Sequence, residues 1–542
     1  MARSIPDLLR ERVRATPGAE ALRHRVDGRW ESLTWSDVGE RVRGLALGYR
    51  AAGVRDGARV ALIAATSVDW ILHDLAVLAA GGVTTTVYPN STPEECAHVV
   101  RDSGSAIVAC DPDLADKAPD GVRLVRFGDA DFPVPSEDAA EYDAMVDAIT
   151  PEDLATLIYT SGTTGTPKGV ELTHDNWLYT ADAIAELDLL RQSDLHYLWL
   201  PMSHAFGKVL QVAMVGIGVP TAVDGAVDRI SENLLELRPT VVAGAPRIFE
   251  KIHQRVVASV RSSGGVREKL FEWALRVAEH PSWRVRRVIA DRLVFAKLRD
   301  RVGGRIRYFV SGSAPLSADV GRFFESAGLT ILEGYGLTES SAASFVNRPG
   351  AHEFGTVGEP LPGTSVRIAE DGEVLIGGRG VMRGYRGLPE ETAATLDDGW
   401  LRTGDIGELD DAGRLRITDR KKDLIKTSGG KYVSPQGVGA RVKAASPYIG
   451  HVLVHGDQRR YVVALVTPDP DTASAEVDLR AEVERAVAAA NGKLARHEQI
   501  KRFAVLDGDF SVEDGTLTAS MKPKRKEIES RYRDVLDGLY RD

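Results

Sequence analysis

Residues 154–159 read as a buried β-strand, and the chain leaves it directly into Thr-Ser-Gly-Thr-Thr-Gly-Thr-Pro-Lys-Gly-Val, residues 160–170. Segment 159–170 holds three glycines, four hydroxyl side chains in the six positions after Tyr159, and one lysine. Glycines let backbone N–H groups turn inward as an anion nest, hydroxyls add donors, and Lys168 brings a mobile positive charge. That combination points to phosphate chemistry at a strand end. It is not a Walker A loop, because Gly162 is followed after four residues by Pro167-Lys168-Gly169 rather than Gly-Lys-Ser/Thr. A flexible Gly/Thr linker is disfavoured, since linkers rarely abut a buried strand or close on Pro-Lys-Gly.

Other short β-rich runs, at 59–64, 106–110 and 240–243, alternate with helix-length amphipathic segments, the pattern of parallel sheets with crossover helices. With 542 residues the chain has room for two or more cores. The expected fold is α/β: a large N-terminal body of sub-domains with mixed and parallel sheets over 1–419, then a small mobile α+β domain over 420–542. Their boundary is expected in the charged run 419–423, where the texture changes. The acidic segment 129–152 reads as a surface connection between two sub-domains of the body. A formal net charge of −10 argues against a nucleic-acid-coating protein. Cys96 and Cys110 are the only cysteines and lack zinc-ligand spacing, so they read as structural thiols in a reducing cytosol. Residues 1–13 mix proline and charges where a signal peptide needs an apolar core, and the apolar stretches 75–87 and 212–223 are broken well short of a membrane span. A cytoplasmic location is expected.

Six further motifs follow in order: Pro201-Met-Ser-His-Ala-Phe-Gly207, Ser311-Gly-Ser-Ala-Pro-Leu316, Glu333-Gly-Tyr-Gly-Leu-Thr-Glu339, Arg402-Thr-Gly-Asp405, Asp419-Arg-Lys-Lys-Asp423 and Lys522. Taken singly, several are ordinary turns. With the loop, and in this order over nearly the whole chain, they resemble the adenylate-forming superfamily of acyl-CoA synthetases, luciferases and peptide-synthetase adenylation domains.

The resemblance implies a site for ATP, Mg²⁺ and coenzyme A. Thr160, Ser161, Gly162, Thr163, Thr164, Gly165 and Lys168 would cradle the phosphates, and Gly312, Ser313 and Ala314 would form a small-residue wall beside adenine. Glu333, Gly334 and Tyr335 would line the base, with Tyr335 stacked on it. Thr338 would bond the α-phosphate, and Glu339 with Thr160 would hold Mg²⁺, a hard cation suited to oxygen ligands. Asp405 would take both ribose hydroxyls as an ionised acceptor, assisted by Arg420. His204 is assigned to the acyl pocket. Lys522 would neutralise the attacking carboxylate and the α-phosphate, with Lys524 as the competing candidate because Ala519 stands where the family usually has proline. Lys422 aligns with the family's pivot, and Ser428, Gly429, Gly430 and Lys431 would border the pantetheine path.

An amino acid substrate would need a pocket carboxylate for its ammonium, and 201–208 offers none. Ala245-Pro-Arg-Ile-Phe-Glu-Lys251 and 420–432 are most similar to long-chain fatty-acid ligases. The expected reaction is fatty acid, ATP and CoA giving acyl-CoA, AMP and pyrophosphate. An acyl-adenylate ligase loading a carrier protein and an inactive acyl or nucleotide sensor are the alternatives. Segment 283–307 carries nine Arg/Lys against two Asp, with Val285, Val288, Ile289, Leu293 and Leu298 at helix spacing. A helix packed on the body and a peripheral contact at the inner membrane face both fit that stripe.

Overall fold

The computed structural model describes residues 2–132, 139–160, 167–280, 282–474 and 477–541. Two large sheets build the body. One has seven strands in the order Gly384–Tyr385, Lys168–Thr173, Leu154–Thr160, Val83–Val87, Arg59–Ile63, Ile107–Cys110 and Arg123–Arg126. Its five strands from Leu154–Thr160 onward run parallel, and the first two are antiparallel additions. Helices cover both faces, which is why Val83–Val87 is buried along its whole length. The second sheet has nine strands, with Ile331–Tyr335, Tyr308–Ser311, Val241–Gly244 and His196–Leu198 parallel at its centre. A smaller antiparallel sheet holds Trp400–Leu409 between Glu373–Gly377 and Leu415–Arg420.

Local signals set the element ends. Thr173 closes the strand after the glycine-rich loop and caps the next helix, His174–Glu186, accepting from Asn176 N at 3.2 Å while Asn176 Oδ1 accepts from Thr173 N at 2.8 Å. Trp35, Trp70 and Trp177 are fully buried in the core that joins the large sheets. Truncating any one to alanine would cost about 3–5 kcal/mol.

The buried apolar clusters divide between Leu415 and Ile425: no described cluster mixes residues from the two sides. Beyond the division lies a C-terminal domain, with strands Ile449–His455, Val462–Pro468 and Ile500–Val505 backed by helices Pro435–Ala444 and Leu479–Asn491. No helix among the described residues is long and apolar enough to cross a membrane.

One sequence reading needs correction. Segment 129–152 does not bridge sub-domains: it lies between two strands of the seven-stranded sheet, and its helix Ala139–Ala148 buries Tyr142, Met145 and Val146 against the body. Three apolar residues on one helical face were enough to dock it despite its acidic composition. The charged run 419–423 is partly buried. Asp419 is buried, accepting from Ser434 Oγ at 2.6 Å and from Arg420 N. A carboxylate tolerates that burial because hydrogen bonds replace its water.

Candidate active site

Strand ends and the turns that leave them assemble the site. Tyr335 closes Ile331–Tyr335, and Thr338 and Glu339 sit in the short turn Thr338–Ser340 just beyond. A Cβ on Gly336 would lie 2.1 Å from the Ala342 carbonyl oxygen, so glycine is needed where this loop doubles back. Ser313, Ser341 and Ala342 hold left-handed backbone, with φ of 71°, 57° and 72°. Each such residue costs about 1–3 kcal/mol, and surrounding bonds hold the loop in place: Ser341 Oγ donates to Gly380 O and Ser344 N to Tyr335 O.

Asp405 lies in Trp400–Leu409 directly across the ladder from Arg420. Its two oxygens are engaged from opposite sides, by Tyr335 OH at 2.6 Å and by Arg420 Nε at 3.2 Å. Burial pushes the Asp405 carboxyl above its ordinary range, and Arg420 pulls it back down. Glu339 Oε1 accepts from Tyr385 OH at 2.8 Å, and Lys168 Nζ lies 5.2 Å from the centre of the same tyrosine ring. Thr160 and Lys168 are cross-strand partners. Ser161, Gly162, Thr163, Thr164 and Gly165 lie outside the described residues.

Lys522 comes from the other domain. Residues 518–522 form a tight turn in which Thr518 N donates to Lys522 O at 2.8 Å and Lys522 N to Thr518 Oγ1 at 3.0 Å. Met521, at φ 62°, completes it. Lys522 is enclosed by protein on most sides while keeping solvent access, and this enclosure, with Arg420 second, lowers its pKa; Asp405 and Glu339 oppose the drop. Lys524 faces elsewhere, into a cavity of about 550 Å³ between the domains that Tyr88, Tyr159 and Pro167 also line.

His204 caps the helix Ala205–Ile217, its Nδ1 accepting from Phe206 N at 3.1 Å. That bond leaves the proton of the neutral ring on Nε2. Burial first, then Lys522, pushes its pKa down to about 3, so the ring is neutral at physiological pH. Gly312 sits against this segment, where an added Cβ would approach the Phe206 ring to 3.2 Å. Glu333 is buried, and that burial raises its pKa to about 7 against the pull of backbone N–H groups from Gly355 and Leu316.

The structure therefore gathers Tyr335, Glu339, Asp405, Arg420, His204 and Lys522 into one electrostatic neighbourhood. It does not gather 428–431. Those residues form an exposed turn between Ile425–Lys426 and Tyr432–Val433, and the hydrogen bonds of Ser428 and Lys431 stay within the C-terminal domain. Sequence reasoning missed Tyr385, whose Gly-Tyr-Arg setting was the available signal. It also missed the buried pair of Lys208 Nζ with Asp74 Oδ2, 2.5 Å apart, and Gln211 Nε2 on the same carboxylate at 2.7 Å.

The donor set fits Mg²⁺. Among the described residues no group of three or more His, Cys, Asp or Glu forms a metal cage. One carboxylate, Glu339, with the Thr160 hydroxyl suits a cation that keeps its waters and binds largely through substrate phosphates.

Ion pairs hold the C-terminal domain in this position. The body helix Pro246–Ser263 supplies Glu250 to Lys443 at 2.8 Å, Lys251 to Asp471 at 2.5 Å and Arg247 to Asp509 at 3.8 Å. Lys493 reaches Asp319 at 3.0 Å, and Asn90 Nδ2 donates to Ala519 O at 2.9 Å beside the Lys522 turn.

Residues 9–386 match the AMP-binding enzyme family, and 422–542 match the AMP-binding enzyme C-terminal domain. The chain belongs to this family. It is 33% identical to the long-chain-fatty-acid–CoA ligase FadD15 of Mycobacterium bovis, an alignment covering 99% of this chain and 97% of that one. Its fold is similar to the adenylation domain of a carboxylate reductase from Mycobacterium chelonae, with TM-score 0.78, 22% identity and 99% and 91% of the two chains covered. It is also similar to the O-succinylbenzoate CoA synthetase of Bacillus subtilis solved with AMP, with TM-score 0.72, 21% identity and 96% and 98% covered.

Proposed function

We propose that this member of the AMP-binding enzyme family is a fatty acid–CoA ligase that uses ATP to activate a medium-to-long acyl chain. The observation that carries the reading is the meeting of Lys522, from the C-terminal domain, with Glu339, Asp405 and Arg420 of the body. The full-length likeness to a long-chain-fatty-acid–CoA ligase supports the choice of acid.

In the first half-reaction the acid's carboxylate oxygen attacks the α-phosphorus of ATP, and the bond to the β-phosphate oxygen breaks to release pyrophosphate. Lys522 offsets charge on the two reacting anions, and Thr338 donates to the α-phosphate. Asp405 and Arg420 fix the ribose, and Tyr335 lies against adenine beside Gly312, Ser313 and Ala314, with Glu333 and Gly334 behind. Lys168 and 160–165 hold the departing phosphates. When bound, Mg²⁺ supplies charge neutralisation at the phosphates, held by Glu339 and Thr160. His204, neutral, presents its Nε2 proton toward the acyl side. In the second half-reaction the CoA thiol attacks the acyl carbon, its proton is lost, and AMP leaves. The thiol path along 428–431 is remote from the cluster in this arrangement, so the domain 420–542 must turn about a hinge at Lys422 to bring it in. The proposed location is the cytoplasm, at the inner membrane face.

Incubation with ATP, Mg²⁺ and acids of increasing length, with and without CoA, tests the activity. Pyrophosphate release together with acyl-CoA formation, strongest for long acids, is expected. Adenylate made without CoA consumption would favour a carrier-protein ligase, and no pyrophosphate from any acid would mean an inactive sensor. For the two-arrangement reading, Lys522→Ala should abolish adenylate formation yet still convert supplied acyl-adenylate and CoA. Lys422→Pro should form adenylate and transfer it poorly. Equal losses in both steps for both variants would reject it.

A further inference from the structure

Segment 283–300 folds as helix Arg284–Ala290, a wider turn Asp291–Phe295 and helix Ala296–Asp300. One face packs inward: Ala290 and Phe295 are buried, with Val294 and Leu298 against the same core. A second apolar face has no cover among the described residues. Val285, Val288, Ile289 and Leu293 remain 75%, 59%, 45% and 45% exposed, at the i, i+3, i+4 spacing of one helical stripe. Single exposed apolar residues are ordinary, but a contiguous stripe in water is unfavourable and marks a contact surface.

The flanks of the stripe are basic. Arg284, Arg286, Arg287 and Arg292 are exposed and have no acidic partner among the described residues, whereas the inward-turned Arg299 pairs with Asp291 at 2.7 Å. Trp283 lies on the surface at the start of the helix, edge-on to His280, with the Arg286 guanidinium 4.7 Å from its ring centre. An indole held at the surface against an arginine, beside an uncovered aliphatic stripe, suits the headgroup–hydrocarbon boundary. On a chain of formal charge −10, four such unpaired arginines on one short segment form a local positive patch that attracts an anionic surface.

We infer that this face, centred on Trp283, Arg284, Val285, Arg287, Val288 and Ile289, docks reversibly on an anionic lipid bilayer. Its aliphatic side chains enter the outer edge of the acyl region, and its arginines lie among the lipid phosphates. An anionic bilayer fits better than a nucleic acid, which would leave the aliphatic stripe in water. The inference deepens the proposed fatty-acid activity and rests on it: the face would hold the enzyme where a long-chain acid is dissolved.

The test is co-sedimentation of the full chain with phosphatidylcholine vesicles containing 30% phosphatidylglycerol, compared with phosphatidylcholine alone. Each arginine near such a surface contributes roughly a five-fold gain in binding, so neutralising three should lower partitioning about 100-fold. Arg284→Gln, Arg286→Gln and Arg287→Gln together should therefore release the protein, and raised salt should release the unaltered chain. Val288→Ser with Ile289→Ser should weaken binding even at low salt. Retained binding in the arginine variant, equal binding to neutral vesicles, or a stripe that instead mediates salt-independent dimers in light scattering would each overturn the inference. Assays with dissolved octanoate keep the two readings apart. If every variant makes octanoyl-CoA while only vesicle-borne palmitate is used poorly, both stand. If no acid gives acyl-CoA the activity fails, and the sedimentation result still decides the surface.

Discussion

Lys443→Ala removes the most sheltered ion pair between the two domains. Lys443 and Glu250 keep 16% and 13% of their side chains exposed, with Nζ and Oε2 2.8 Å apart. Exposed pairs contribute about 0.2–1 kcal/mol, and breaking a fully buried pair costs about 3–5 kcal/mol. This pair lies between those limits, so its loss should weaken the docked arrangement by about 1–2 kcal/mol, or roughly 5- to 30-fold in the equilibrium against any other domain orientation. The Lys251–Asp471, Arg247–Asp509 and Lys493–Asp319 pairs remain, but all are more exposed. Orientation can be read from the distance between spin labels on cysteines introduced at Lys269 and Arg460. Cys96 and Cys110 will not compete for label, because both are buried and burial pushes their thiols up to about 11. Lys443→Ala should populate a second distance and slow adenylate formation, while thioester formation from supplied acyl-adenylate is unchanged or faster. Glu250→Ala should behave alike, and the double variant should be no worse than either single one. An unaltered distance distribution with unaltered half-reactions would refute the reasoning, as would equal losses in both half-reactions with a lowered melting temperature.

Asp405→Asn keeps an acceptor for Tyr335 but faces Arg420 without a charge. It should impair ATP use at least ~10-fold, the equivalent of the ~1.5–3 kcal/mol of a charged hydrogen bond, and normal ATP kinetics in a folded variant would reject the ribose assignment. Glu333 gives a pH signature. Its folded pKa of about 7 stands above the ordinary 4.5, so the folded state holds this proton more tightly than the unfolded chain does. Stability from this group is intact below pH 4.5 and falls as pH rises toward 7, by about 3 kcal/mol in total. Glu333→Gln should match the unaltered protein at pH 4.5 and exceed it at pH 8 in urea unfolding. A stability gap that does not change with pH would contradict the assignment.

Readability from sequence followed the range of the interactions. The strands at 59–64, 106–110 and 154–159 were legible because burial pattern and turn chemistry act within a few residues. The turn after Tyr335 was legible for the same reason, because Gly336 answers to the steric demand of its own loop, whereas Gly312 answers to the Phe206 ring, which only the tertiary fold brings near. Segment 129–152 was misread because composition outweighed three apolar residues whose shared face appears only once helix Ala139–Ala148 is wound.

What the sequence determined by itself was the α/β class, the ordered motifs and through them the family. Tertiary structure alone decided who meets whom. Tyr385 reaches Glu339 across 46 residues, Tyr335 reaches Asp405 across 70, and Lys208 finds Asp74 across 134. It also separated Lys522 from Lys524, only two residues apart in the chain, by sending one toward Asp405 and the other into the cavity beside Tyr159. Side-chain identity specifies what a residue can bond, but only closure of the sheets and docking of the second domain specify the distance at which it does.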